Sequence, residues 1–222
     1  MLGLEACGGA AASAASSTTT SSSSSGSTCT LAAELTEGPF YVDDGLLRSD
    51  LLEGQTGVPL RLKITVVKAS TCAAVSGAVV EVWCANHTGT YSDESSEGTL
   101  GETYLRGTQI TDSDGLVAFT MIYPGWYSGR TVHIHLRVRT GGTASGSTYS
   151  TSGSTIVHTG QLFFPASYNE AMRSVYAEDT NSFINNDSDS IYASGGSSSI
   201  LTLTGSTAAG FTGTITVAVA IS

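Results

Sequence analysis

Residues 60–67, Leu60-Arg61-Leu62-Lys63-Ile64-Thr65-Val66-Val67, alternate between apolar and polar, the period of a strand with one buried face. Ala78-Val79-Val80-Glu81-Val82-Trp83, introduced by Ser76-Gly77, predicts a second strand that ends at a turn over 86–89. Asp112-Ser113-Asp114-Gly115 has turn chemistry, and residues 116–122 behind it are strand-like. The alternation is cleanest over 131–139. Val132, Ile134, Leu136 and Val138 take one face, and His133, His135, Arg137 and Arg139 take the other. Further strands are expected at 160–164, 199–203 and 212–220, and one short helix at 167–177. Many short strands, Gly-rich turns and no strand–helix alternation predict an all-β fold. Its form is a β-sandwich of short, mostly antiparallel strands with long loops.

Composition narrows the function classes. The chain has 222 residues, enough for one well-buried core, with 40% hydrophobic and 13% charged residues. Nine Lys+Arg against nineteen Asp+Glu give a formal charge of −10, and no basic run occurs. Nucleic-acid binding needs a positive face to release counterions, so it is excluded, and anionic membrane surfaces are disfavoured for the same reason. No apolar run approaches the roughly 20 residues of a membrane-spanning helix. Few lysines and many Ser and Thr residues suit an extracellular or cell-envelope protein.

The N-terminus differs from the rest. Of the sixteen residues 13–28, thirteen are Ser or Thr. Such a stretch has nothing to bury, so 1–28 is expected to be a signal remnant and disordered tether, with the folded domain at 29–222. A small-residue run ending in Cys7-Gly8-Gly9 resembles the end of a bacterial lipoprotein signal, making Cys7 a candidate lipid anchor; Glu5 departs from that pattern. Cys29, Cys72 and Cys84 lie in the folded part. Export would allow one disulfide, expected between Cys72 and Cys84, with Cys29 unpaired or bridged to Cys7.

The chemistry concentrates in Pro124-Gly125-Trp126-Tyr127-Ser128-Gly129-Arg130, which runs into Thr131-Val132-His133-Ile134-His135. On a strand, His133 and His135 share a face and can reach one ion. No carboxylate follows at ligand spacing, as zinc hydrolase or two-His-one-carboxylate ferrous sites require. The oxygen donors nearby are the phenols of Tyr127 and, in Gly89-Thr90-Tyr91-Ser92, of Tyr91. Phenolate is a hard anion that favours ferric over ferrous iron.

Several further motifs come in order: Leu35-Thr36-Glu37-Gly38-Pro39-Phe40-Tyr41, Leu47-Arg48-Ser49-Asp50, Gly57-Val58-Pro59-Leu60, Gly77 to Trp83 and Gly89 to Ser92. Leu105 to Asp112, Tyr123 to Tyr127, Arg130 with His133-Ile134-His135, and Gly160-Gln161-Leu162-Phe163-Phe164 complete the series. From about residue 29 to the end, the chain resembles the intradiol ring-cleavage dioxygenases of the secreted kind. It departs from them at Cys84-Ala85-Asn86-His87 and lacks the helical N-terminal region of the cytoplasmic catechol dioxygenases, which favours a monomer.

The resemblance implies one ferric ion per chain, held by Tyr91, Tyr127, His133 and His135. It also implies a pocket arginine, Arg130, and a pocket glutamine, Gln161, with Tyr127 leaving the metal to act as base. The implied partners are a small aromatic diol and O2, and the implied product is a cis,cis-muconate. Tyr41 and Trp126 are expected at the substrate pocket; Arg106, His87 and His158 are expected to be structural. Two rival classes remain at this point. A secreted β-sandwich binding module fits the fold and tether. A cupin-type metal enzyme fits His-x-His, with His158 as a later ligand, but lacks its acidic residue.

Overall fold

The computed structural model describes residues 29–221. The expected tether and Cys7 lie outside the described residues.

Two four-stranded sheets face each other. In the first, β1 (Pro59–Lys68) pairs antiparallel with β4 (Leu116–Ile122) and parallel with β10 (Gly210–Val219). The last of these pairs antiparallel with β9 (Thr202–Ser206), giving the order β4-β1-β10-β9. The second contains β2 (Val79–Trp83), β3 (Arg106–Ile110), β5 (His133–Thr140) and β8 (Thr155–Phe163), antiparallel throughout in the order β3-β2-β5-β8. A small hairpin, β6 (Thr143–Ser145) and β7 (Thr148–Ser150), lies between β5 and β8 in the chain. This is the all-β sandwich the alternation predicts.

The apolar halves of the alternating strands meet between the sheets. Leu60, Leu62, Ile64 and Val66 from β1 and Val117, Phe119 and Met121 from β4 join one core with Val80, Val82, Val132, Ile134, Leu136 and Val138. Burying such side chains is worth about 1.5–3 kcal/mol each, which is what holds the sheets together.

The polar face of the second sheet is also covered. Residues 34–50 cross it as a strap. Leu35 N–H donates to Thr159 C=O at 3.0 Å, Thr108 N–H donates to Leu46 C=O at 2.8 Å, and Arg48 N–H returns to Thr108 C=O at 3.0 Å. Every residue of β5 except Thr140 is therefore buried, on both faces.

Several elements depart from expectation. β8 begins at Thr155 because Thr155–Thr159 extend the pairing with Arg137–Thr140 across a bulge at Val138/Arg139. β9 starts later than expected, since Gly196–Ser199 is a tight helical turn. The β6–β7 hairpin had no signal in its Ser/Thr/Gly-rich sequence. The expected helix is present as α1 (Ala166–Val175), and a four-residue α2 (Ser190–Ala193), capped by Asp189, adds a second. The disulfide joins Cys29 to Cys72, with Cα atoms 5.3 Å apart, and corrects the expected Cys72–Cys84 pair. The reason is position. Cys84, just after β2, is buried in the core between the sheets as a free thiol, whereas Cys72 turns at the end of β1 beside the incoming Cys29. No helix among the described residues is long and apolar enough to cross a membrane.

Candidate active site

Strand β5 places His133 and His135 on the outer face beneath the strap. Antiparallel register sets Trp83 of β2 and Gln161 of β8 on either side of His135. The tyrosines come from two loops locked to each other. Asn86 Oδ1 accepts from Thr88 N–H and Thr90 N–H, both at 3.0 Å, and shapes the turn that carries Tyr91. Gly125 N–H donates to Asn86 C=O at 2.9 Å, which fixes the Tyr127 loop against that turn. Gly89, at φ 80°, permits the contact, because a β-carbon there would lie 2.0 Å from Trp126 O.

The four side chains converge. His133 Nε2 lies 3.1 Å from His135 Nε2 and 3.5 Å from each of Tyr91 Oη and Tyr127 Oη. Burial, aided by the nearby Arg130 charge, drives His133 down to about 3 and His135 well below the ordinary histidine range, so both rings are neutral. His133 Nδ1 lies 2.7 Å from Thr131 C=O, which only accepts; the ring proton sits on Nδ1, and the Nε2 lone pair faces the cluster. Burial also pushes the Tyr91 phenol well above its usual value, reinforced by Tyr127. It raises Tyr127 too, against the pull of Arg130.

Four lone-pair donors, three buried and Tyr127 half-buried, thus meet in a space in which none of them bears a charge. Their separations of 3.1 and 3.5 Å match ligands about 2.0–2.2 Å from one common cation. A cation there would supply the field that deprotonates the phenols, as bound metals do for coordinating acids. No cluster of three or more His, Cys, Asp or Glu occurs among the described residues, and the two phenols are what complete this donor set.

Arg130 borders the cluster. Its Nη1 lies 3.3 Å from both Tyr127 Oη and His133 Nε2. Its Nη2 donates to Gln161 Oε1, and Gln161 Nε2 in turn donates to Thr36 C=O of the strap at 2.9 Å. Arg130 Nε donates to Asp189 Oδ2 at 2.8 Å. Asp189 went unnoticed in the sequence. Its buried carboxylate also accepts from Thr131, Ile191 and Tyr192 N–H. Burial works to raise this carboxyl, but the Tyr192 and Thr131 amides and the Arg130 guanidinium together hold it below the usual range. An N-cap aspartate before Ser190-Ile191-Tyr192 was legible, but its reach to a residue 59 positions away was not.

The remaining candidates fall outside the donor cluster. Tyr41 packs edge-on to Trp83 and accepts from Arg139 Nη2 at 3.1 Å, beside the cluster. Trp126 does not face the donors: its indole donates to Asn181 C=O at 3.0 Å and packs on Phe183. Arg106 hydrogen-bonds Ser92 and Phe40 C=O, His87 pairs with Glu178, and His158 pairs with Glu34 at 2.7 Å. A cupin-like use of His158 therefore has no geometric support. Phe40, quoted only as part of a motif, stacks on Tyr91 with ring centroids 4.3 Å apart and meets Tyr127 edge-on.

Comparison with known proteins identifies the family. A family model described as Dioxygenase matches residues 36–166. Catechol 1,2-dioxygenase 1 of Acinetobacter lwoffii is 35% identical over 96 residues, which are 41% of this chain and 30% of that protein. An intradiol ring-cleavage dioxygenase from Tetranychus urticae superposes with a TM-score of 0.74 at 28% identity, covering 86% of this chain and 95% of that one. The dioxygenase domain of a dioxygenase–carbohydrate-binding fusion protein from Streptomyces sp. SirexAA-E shares the fold, with a TM-score of 0.63 at 23% identity over 87% of this chain and 100% of that one. With the family model matching more than half of its length, the chain belongs to the intradiol ring-cleavage dioxygenase family.

Proposed function

We propose that the protein is a mononuclear, non-haem ferric dioxygenase. It cleaves the ring of small catechols between the two hydroxyl-bearing carbons with O2, giving cis,cis-muconate-type products. The observation that carries this reading is the convergence of Tyr91, Tyr127, His133 and His135, two neutral imidazoles and two phenols, on one point beside Arg130.

Bound by these four residues, ferric iron supplies a Lewis acid that makes the second phenolic proton of a catechol accessible near neutral pH. The chain does the rest. Tyr127 Oη, on a turn flanked by Gly125 and Gly129, would be a phenolate on the metal and so could receive a proton from the substrate hydroxyl. Tyr91, fully buried and stacked on Phe40, stays as the permanent anionic donor. Arg130 stabilises negative charge developing on the substrate oxygen. Gln161 and Asp189 hold the guanidinium in place, and the strap buries the two histidines.

We further propose an extracellular or cell-envelope setting, where plant- and lignin-derived aromatics are met; the Cys29–Cys72 disulfide supports it. The test is reconstitution with ferric iron, followed by a panel of catechol, hydroxyquinol and protocatechuate with product identification. The expected protein is red to purple from phenolate-to-iron charge transfer, and the expected products are muconates. A chain that stays colourless in ferric iron, or that yields yellow semialdehydes, overturns the reading.

A further inference from the structure

The two histidines are held by different means. His133 is fixed by a hydrogen bond from Nδ1–H to Thr131 C=O at 2.7 Å, the usual way a ligating imidazole is oriented. His135 Nδ1 is buried and has no hydrogen-bond partner among the described residues. Something else must set its ring plane.

Two contacts are available. Trp83, opposite His135 in the β2–β5 register, stacks on the imidazole with centroids 4.9 Å apart and planes 6° from parallel. Gly38 of the strap closes on the Cε1 corner: a β-carbon built there would lie 3.0 Å from Cε1, and its φ of 70° is one that glycine adopts freely. The indole is itself confined. Tyr41 meets it edge-on at 5.1 Å, and the Arg137 guanidinium lies 5.9 Å from its centroid. Trp83 Nε1 makes no hydrogen bond among the described residues, so the ring is kept there by stacking and shape.

We propose that Trp83 and Gly38 form a clamp that sets the ring orientation of His135 in place of the missing hydrogen bond. Trp83 is then a positioning residue for a metal ligand, and the strap is part of the metal site. The proposal rests on the ferric reading above.

The test is ferric titration of the full chain, read by visible absorbance and bound iron, with thermal unfolding in parallel. Losing a residue that orients a ligand costs 10–100-fold in metal affinity. Trp83→Leu is expected to weaken ferric binding by that factor and to move the charge-transfer band. Trp83→Phe, which keeps an aromatic face, should stay within about threefold of the parent, on the same scale. Val80→Ala, a change in the core between the sheets, on the face of β2 opposite Trp83, should lower the unfolding temperature and leave the band unmoved. If Trp83→Leu does not fold, Gly38→Ala on the strap decides; it should shift the band and weaken binding in the same direction. Ferric affinity and band unchanged in Trp83→Leu, or in Gly38→Ala where that variant decides, overturn the clamp alone. A parent chain that binds no ferric iron overturns the ferric reading and the clamp together.

Discussion

The outer faces of β1 and β5 carry comparable polar side chains and meet opposite fates. On β1, Arg61 is exposed and Lys63 and Thr65 are half-buried. On β5, His133, His135, Arg137 and Arg139 are at most 7% exposed. A sandwich needs only one buried face per sheet. The strap over 34–50 gives the second sheet another, and there each charged group acquires a partner. Arg137 pairs with Glu37 and lies 4.0 Å over the Tyr41 ring, and Arg139 donates to Glu81 at 2.8 Å. The site is thus a largely buried layer between a sheet and a strap, outside the main core between the sheets.

The largest expected effect is on turnover. Tyr127→Phe removes the proton acceptor and leaves the Tyr91 phenolate, so catechol cleavage should fall about 10²–10⁴-fold while visible colour persists. Tyr91→Phe should instead weaken iron retention. Iron content and steady-state rates separate the two. A Tyr127→Phe protein with full iron that cleaves catechol at the parent rate contradicts the role given to that tyrosine.

Next comes the buried ion pair under the strap. Arg139→Ala leaves Glu81 buried and uncompensated, a change that costs about 3–5 kcal/mol. For a chain of this size that lowers the unfolding temperature by roughly 6–20 °C. The exposed Arg173–Glu170 pair, with side chains 53% and 49% accessible, is the contrast. Arg173→Ala should cost about 1 kcal/mol or less. Equal losses from the two variants would mean that the strap does not keep water out.

Asp189 gives a smaller effect with a defined pH window. Its carboxyl is held below the ordinary range in the folded chain, so its contribution is fully present above the unfolded aspartate value of about 3.9 and fades as pH falls through the lower folded value. Asp189→Asn keeps one oxygen for the Ile191 and Tyr192 amides but loses the acceptor for Thr131 N–H and the charge facing Arg130, the latter worth about 1.5–3 kcal/mol. The gap in unfolding temperature between parent and variant should be constant from about pH 5 to 8 and should close below about pH 4. A gap that widens on acidification has the wrong sign for this account.

Much of this was legible in local sequence. Period-two alternation gave β1 and the face on which His133 and His135 lie, because one-sided burial writes itself into every second residue, and the turn chemistry of residues 112–115 gave the start of β4. The hairpin β6–β7 was not legible, since its Ser, Thr and Gly residues are largely exposed and no pattern is imposed on them. Asp189 holding Arg130, Trp83 stacking on His135 and Cys29 meeting Cys72 all join residues far apart in the chain, and no local period encodes them. The strap was visible only as a motif, Leu35 to Tyr41; its place over β5 is a tertiary fact.

The smallest effect sharpens the comparison most directly. Arg61 on β1 and Arg137 on β5 occupy equivalent outward positions on central strands. The cross-strand neighbours of Arg61 are threonines on both sides, Thr120 of β4 and Thr212 of β10, so register gives it no carboxylate. Arg137 has Glu81 opposite on β2 and Glu37 above it on the strap. An exposed cation without an opposite charge on its strand neighbours contributes little, so Arg61→Gln should change stability by no more than about 0.5 kcal/mol. That is a shift of roughly 1–2 °C in the unfolding temperature. Ferric binding and the visible band should not move, because Arg61 is exposed on the sheet that does not contain β5. If Arg61→Gln lowers the unfolding temperature as far as Arg139→Ala does, the difference between the two faces is not one of burial, and the strap loses its role as the element that makes one of them a site.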